Sequence, residues 1–249
     1  MAADIRRALD PAVFAEACGV TPDPWQRDLL REQPRRCILL ASRQVGKTTT
    51  CALETVFIAV TEPGSLCAVI SPSQRQSNEF VRSAKLLLQN LDNAPEHTSS
   101  VTKIEFAHGS RILSLPGGEE GKTIRGLAGA RLIVIDEAAR VPDIMLASVR
   151  PMMATRSDAA LWILSTPAGK SGFFHDSWHS LDESWHRVKV SATECPRISS
   201  AFLEEERRAL GQTMFESEYG LIFHDDLMQA FPAKIIDGIF DKDLAPLWP

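Results

Sequence analysis

Residues 37–41 read CILLA, an unbroken apolar run, and after the polar loop SRQVG the chain continues as KTTTCALETVFIAV (47–60), a helical segment. The same succession recurs downstream. LCAVIS (66–71) is a second buried strand, followed by the amphipathic helix QRQSNEFVRSAKLLLQNL (74–91). RLIVIDE (131–137) and LWILSTP (161–167) are further core strands, with a helix near 143–153 between them. Apolar strands alternating with helices predict an α/β protein with parallel strands. Two segments read differently: VTKIEFA-HGS-RILSLP (101–116) is a hairpin turning at His108-Gly109, and SWHRVKV (184–190) is a last strand of alternating character.

The ends of the chain are helical. An opening helix starts at the Asp10-Pro11 pair and stops at Gly19, with Pro first and Gly last. TPDPWQRDLLRE then gives a turn and a short helix. From about 197 the pattern changes to an acidic amphipathic helix, SSAFLEEERRALG, another short helix and a Pro/Gly-broken tail. This shift predicts a core over 1–195 and a C-terminal helical region over 196–249.

Composition narrows the class only slightly. No apolar run approaches the roughly 18 residues of a membrane span, and the first residues lack the apolar core of a secretory signal. Five cysteines, odd in number and mostly in apolar runs, read as buried reduced thiols of a cytoplasmic protein. The net charge of −5 does not advertise nucleic-acid binding, but its distribution permits it. Ten acids and four bases lie beyond residue 200, leaving 23 bases and 22 acids before it.

Gly-Lys-Thr occurs twice, in ASRQVGKTTT (41–50) and in GGEEGKTIRG (117–126). A phosphate-binding loop needs a buried strand before it and a helix directly after it, because the helix N-terminus supplies free N–H groups and partial positive charge. Lys then reaches the phosphates and the Thr hydroxyl binds magnesium. The first segment meets this, departing from the usual pattern only in Ala41 for Gly. The second fails: Pro116 cannot donate an N–H, Glu119 and Glu120 oppose phosphate, and the residues up to the next strand leave little room for a helix. The loop is therefore Ser42, Arg43, Gln44, Val45 and Gly46, followed by Lys47, Thr48 and Thr49.

Asp136-Glu137 closes the apolar strand of RLIVIDEAA. Ligands of parallel sheets bind outside the carboxyl ends of strands. An acid there can hold a hydrated magnesium ion, and a following Glu can orient and deprotonate an attacking water. His175, His179 and His186 lack a third ligand at metal spacing, and Phe173, Phe174, Trp178 and Trp185 read as core.

SRQVGKTT, LIVIDEAA and LSTPAG, in this order, resemble the ATPase domain of the large terminase subunit, the DNA-packaging motor of tailed bacteriophages, over about residues 20–235. DPWQ (23–26) is similar to that family's adenine-binding element. The resemblance implies a P-loop NTPase of the ASCE, RecA-like class, with a mainly parallel central sheet flanked by helices and a small C-terminal lid subdomain. It implies ATP and Mg2+ as ligands, with Thr48 and Asp136 on the metal and Glu137 as catalytic base. Gln26 would meet the adenine edge with Trp25 packed nearby, and Arg43 would sense the γ-phosphate. Ser165 and Thr166 resemble a motif coupling hydrolysis to DNA movement. Arg125, in the Arg-Gly of the second Gly-Lys-Thr segment, is similar to a finger inserted into a neighbouring subunit's nucleotide, with Arg131 as rival.

The implied partners are double-stranded DNA gripped through its backbone, a homo-oligomeric ring on the portal protein and the small terminase subunit, in the cytoplasm of the bacterial host at the procapsid, with no membrane. The short tail predicts that the family's nuclease domain is absent. A helicase-like translocase needs a second RecA-like domain that this length cannot hold. A non-hydrolysing, ATP-gated assembly module has no need of Glu137.

Overall fold

The computed structural model describes residues 2–117 and 127–225. Three helices open the chain: α1 (Ala2–Leu9), α2 (Pro11–Ala17) and α3 (Pro24–Glu32). Strand β1 (Arg36–Ala41), α4 (Lys47–Thr61), β2 (Leu66–Ser71) and α5 (Gln74–Asn90) follow. Next come β3 (His97–Ser99), β4 (Lys103–Phe106), β5 (Arg111–Pro116) and β6 (Ala130–Asp136). The chain continues through α6 (Ile144–Val149), β7 (Ala160–Ser165), α7 (Gly172–His179) and β8 (His186–Val190), then α8 (Ser200–Leu210) and α9 (Gln212–Glu218).

The eight strands form one sheet in the order β3-β4-β5-β2-β6-β7-β1-β8. From β5 to β8 every pairing is parallel, while β3 and β4 add an antiparallel edge. Both faces of the central strands are buried, which is why these strands read as continuous apolar runs. Cys37, Leu39, Val69, Val134 and Trp162 face one core, packed with α4 and α5. Their alternates Ile38, Leu40, Ile70, Ile135 and Ile163 face a second core with Met145, Val149 and Phe174.

The local stops obey simple chemistry. Asp10 caps α2 by accepting from the Ala12 N–H at 2.9 Å, with Pro11 as the first helical residue. The hairpin turns where the sequence places it, with Gly109 at φ +91°. Three details depart from the sequence reading. Helix α1 precedes the expected opening helix, and the polar strand His97–Ser99 extends the hairpin. The helix near 143–153 is a short α-helix that tightens into a 3-10 turn over Arg150–Met153, where Pro151 has no N–H to continue it.

The C-terminal helices are tied back to the core. Phe215 and Tyr219 pack with Ala192 in a small cluster, and Leu221 enters the second core. Among the described residues no helix is long and apolar enough to cross a membrane.

Candidate active site

The loop between β1 and α4 turns sharply at two left-handed positions. Gln44 lies at φ +61° and Gly46 at φ +94°, so the backbone folds back before α4 begins. A Cβ on Gly46 would stand 2.7 Å from Gln26 Nε2, so a larger residue would both strain the backbone and displace that amide. The Ser42 and Arg43 N–H groups donate to Val190 and Glu218 carbonyls. Those of Gln44, Val45 and Gly46 find no acceptor among the described residues. Val45 is buried and pins the loop from below, and Thr49 sits half-buried in the first turn of α4.

Strand β6 delivers the acid pair to the same edge, with β7 standing between it and β1. Asp136 Oδ2 accepts from Thr48 Oγ1 at 3.2 Å, and Asp136 Oδ1 accepts from the Glu137 N–H at 2.9 Å. Lys47 Nζ lies 3.2 Å from Glu137 Oε1. Asp136 is only 7% exposed. Burial, and then the neighbouring Glu137 charge, push its carboxyl up to about 6, against the opposing pull of Lys47. Glu137 is held in the left-handed region at φ +52°, a strained conformation for a non-glycine residue.

A second layer of charge surrounds this pair. Arg43 grips Glu218 with a two-pronged contact, Nε to Oε2 at 2.9 Å and Nη2 to Oε1 at 3.0 Å. Arg140 Nη1 donates to Glu137 Oε2 at 2.9 Å and to Thr166 Oγ1 at 3.1 Å, while Nη2 reaches Glu218 Oε1 at 3.2 Å. Thr166 is thereby joined to the acid pair. Ser165 Oγ is fully buried with no partner among the described residues, as is Ser71 Oγ at the end of β2.

Gln26 is brought to the loop, in a bracing position. It is 2% exposed, its Nε2 donates to Thr50 Oγ1 at 2.9 Å and to the Gly46 carbonyl at 3.3 Å, and its Oε1 accepts from the Asp23 N–H at 2.8 Å. Both ends of the amide are thus engaged within the protein, tying α3 to the loop. Trp25 packs beside it against the first core. Arg197 joins the same brace, bonding Asp23 Oδ1 at 2.7 Å and the Val45 carbonyl at 3.2 Å.

The two candidate finger arginines fare differently. Arg125 lies outside the described residues, as does the second Gly-Lys-Thr. Arg131 starts β6, at the opposite edge of the sheet, where its side chain forks onto Glu62 at 2.8 and 2.9 Å. His175 and His179 pack on each other and on Phe223, and no metal-binding group of three ligands occurs among the described residues. Phe173, Phe174 and Trp185 are buried and Trp178 packs against the same core. The five cysteines are free and buried.

Sequence reasoning did not find Arg140, Arg197 or Glu218. Arg140 had a local signal, since it follows Glu137 by one helical turn in DEAAR. Glu218 had none, being one acid among several in an acidic helix.

The donor set fits a divalent cation beside a polyphosphate. A hydroxyl and a carboxylate, 3.2 Å apart, are hard oxygen ligands, and the Asp136 carboxyl is raised by burial and by the adjacent Glu137 charge, both of which a cation would oppose. Unengaged N–H groups, Lys47 and Arg43 face the same space from the loop side.

The fold is that of a P-loop NTPase of the ASCE class. The match to known proteins is more specific. Residues 38–224 match the family model of the terminase large subunit, T4likevirus-type, N-terminal, and the chain belongs to that family. The large terminase subunits of Thermus phage G20c and Thermus virus P23-45 are each 27% identical to it over 186 residues, covering 65% of this chain and 37% of the relative. The chain thus spans well under half the length of the curated relatives it matches. The large terminase ATPase domain of Thermus phage P74-26 superposes with a TM-score of 0.71 at 20% identity, covering 85% of this chain and 97% of that one. The large terminase of another thermophilic bacteriophage, solved in complex with ATP-gamma-S, gives 0.65 at 15% identity, covering 88% and 52%.

Proposed function

We propose that this chain is the ATP-hydrolysing motor domain of a phage terminase, driving double-stranded DNA into procapsids. One observation carries the reading: Lys47 and Thr48, at the start of α4, stand directly against Asp136 and Glu137, at the end of β6. The complex of a thermophilic phage's large terminase, similar in fold, with ATP-gamma-S supports a nucleotide as ligand.

In this reading the loop N–H groups, Lys47 and Arg43 bind the phosphates, and Thr48 and Asp136 hold Mg2+. When bound, the metal supplies positive charge against the phosphate oxygens. Glu137 takes a proton from the attacking water as the terminal P–O bond breaks and ADP leaves. Lys47 and Arg140 occupy both Glu137 oxygens, so the base works only after a phosphate draws Lys47 away. Gln26 serves this site as a brace for the loop; contact with the adenine edge would require its amide to leave Gly46 and Thr50.

The wider assembly follows from the family. DNA would be gripped by its backbone, in a ring of subunits on the portal with the small terminase subunit, in the host cytoplasm. A division near 195, with the later helices acting as a lid, belongs to the same proposal. Arg125 is the proposed trans finger; Arg131 is committed to Glu62 at the far edge. Ser165 and Thr166 are the proposed coupling residues, Thr166 through its bond from Arg140.

The test is Mg2+-dependent ATP turnover of wild type and Glu137→Gln. Turnover should fall by about 10²- to 10⁴-fold while an ATP analogue still binds. Equal rates with binding intact would sink the assignment. For the finger, the rate per subunit should rise with protein concentration, and Arg125→Ala should flatten that rise.

A further inference from the structure

Glu218 is the last residue of α9, far along the chain from every motif of the site, yet its carboxylate touches two of the site's arginines. Its Oε1 accepts from both Arg43 Nη2 and Arg140 Nη2, and its Oε2 accepts from Arg43 Nε. The backbone repeats the connection: the Arg43 N–H donates to the Glu218 carbonyl at 3.2 Å and Ser42 Oγ to the Tyr219 carbonyl at 2.9 Å. Through Arg140 the contact runs on to Glu137 and Thr166. One carboxylate therefore joins the phosphate loop, the acid pair and the end of β7.

Glu218 is 6% exposed. A buried carboxylate shared by two guanidiniums is a poor way to hold a helix, because desolvation takes back most of the Coulomb gain. What the fork does supply is orientation, since it fixes the plane and reach of each guanidinium. The helix end is itself fixed independently. Phe215 and Tyr219 pack on Ala192, and Leu221 is buried in the second core at φ +58°, a conformation that its burial must offset.

We propose that Glu218 is a positioning residue for hydrolysis: it makes the orientation of Arg43, and through Arg140 that of Glu137, depend on where α9 sits. The C-terminal helices thereby become part of the ATPase site, and a partner or DNA load that moves α9 alters turnover. This rests on the ATPase reading above.

The full chain is assayed for single-turnover Mg2+-dependent ATP hydrolysis and, separately, for melting temperature and for affinity towards a fluorescent ATP analogue, as wild type, Glu137→Gln, Glu218→Gln, Glu218→Asp, Arg140→Gln and Glu218→Gln/Arg140→Gln. Glu218→Gln should slow turnover on the order of 10- to 100-fold with analogue affinity unchanged or tighter, because one opposing negative charge is gone. Glu218→Asp, which keeps the charge, should recover part of the rate. The double variant should be no slower than the slower single, since both act through one base. Wild-type turnover in Glu218→Gln overturns the proposal. So does a parallel loss of rate, affinity and melting temperature, which marks a structural contact alone. Failure of wild type to outpace Glu137→Gln removes the ATPase reading itself, and with it this inference.

Discussion

Strand β6 carries a cluster of arginines and carboxylates at each of its ends, and the two clusters are in opposite states. At its start, Arg131 forks onto Glu62 and reaches Asp158, which is held in turn by Arg156 at 2.7 and 2.9 Å. The Arg156 contact, above all, holds the Asp158 carboxyl down to about 2. Arg131, Arg156, Glu62 and Asp158 each have an answering charge there, although Glu54 buried behind them has only an amide on one oxygen, from Gln33. At the other end Asp136 is pushed up to about 6, Glu137 is strained, and Ser165 Oγ has no partner among the described residues. The same residue types thus build a finished structural tie at one edge and an unfinished one at the other. Together with the loop N–H groups and the acid pair, the unfinished state supports the proposal that this edge takes a ligand, since buried groups short of charge or partners gain most when something else completes them.

The largest effect should come from removing one cation at the unfinished end. Lys47→Met should slow hydrolysis on the order of 10²- to 10³-fold, because it removes phosphate stabilisation, and should change melting temperature less, because Met keeps the buried aliphatic packing and Lys47 answers a single acid. Arg131→Met, at the finished end, should do the reverse. Its guanidinium is largely buried and answers two acids, so its loss should cost about 2 kcal/mol in chemical denaturation. Turnover per folded molecule should stay near wild type. If Arg131→Met instead halts hydrolysis in folded protein, the two ends are not functionally distinct and Arg131 returns as a finger candidate.

Acidity separates the ends with opposite signs. A carboxyl whose folded value lies above its unfolded one holds its proton more tightly when folded. Asp136 therefore favours folding at low pH, and this contribution is lost as pH rises through about 6. Asp158, held down to about 2, contributes above its unfolded value near 3.8 and loses that contribution as pH falls towards 2. Asp136→Asn should accordingly stabilise the nucleotide-free protein at neutral pH by about 1–3 kcal/mol while slowing Mg2+-dependent turnover. Urea melts of both proteins between pH 4 and 8 check it: the two curves should lie close near pH 4, part progressively up to about pH 6 and keep a constant gap above it. Curves parallel over the whole range would mean that the Asp136 carboxyl is not raised in the folded protein.

Much of this architecture was legible in the chain because it is locally encoded. CILLA, LCAVIS and RLIVID declare buried parallel strands by composition, and their place beside SRQVGKT and EAA located Lys47, Thr48, Asp136 and Glu137. What stayed hidden depends on closure between distant segments. Glu218 meets Arg43 across 175 positions, and no periodicity in FESEYG distinguishes it from Glu216 beside it. Gln26 shows the converse. Its neighbourhood at the loop was readable from DPWQ, but its partners, Gly46 and Thr50, follow only from how α3 docks on α4. The strand His97–Ser99 escaped because a short, polar edge strand carries no hydrophobic signal.

The smallest expected effect falls on Ser165. Its hydroxyl is buried at the end of β7 without a partner among the described residues, and such a group costs stability that an alanine does not. Ser165→Ala should therefore raise the stability of the nucleotide-free protein by ~1 kcal/mol or less. If Ser165 couples the site to movement, its hydroxyl gains a partner once ATP-gamma-S and Mg2+ are bound, so the advantage of alanine should vanish in their presence. Melting temperatures of both proteins, with and without that ligand, decide the matter. An advantage that persists with ligand would make Ser165 the plain end of a strand, and would leave Thr166, bonded by Arg140, as the one residue of the pair through which β7 feels the acid pair.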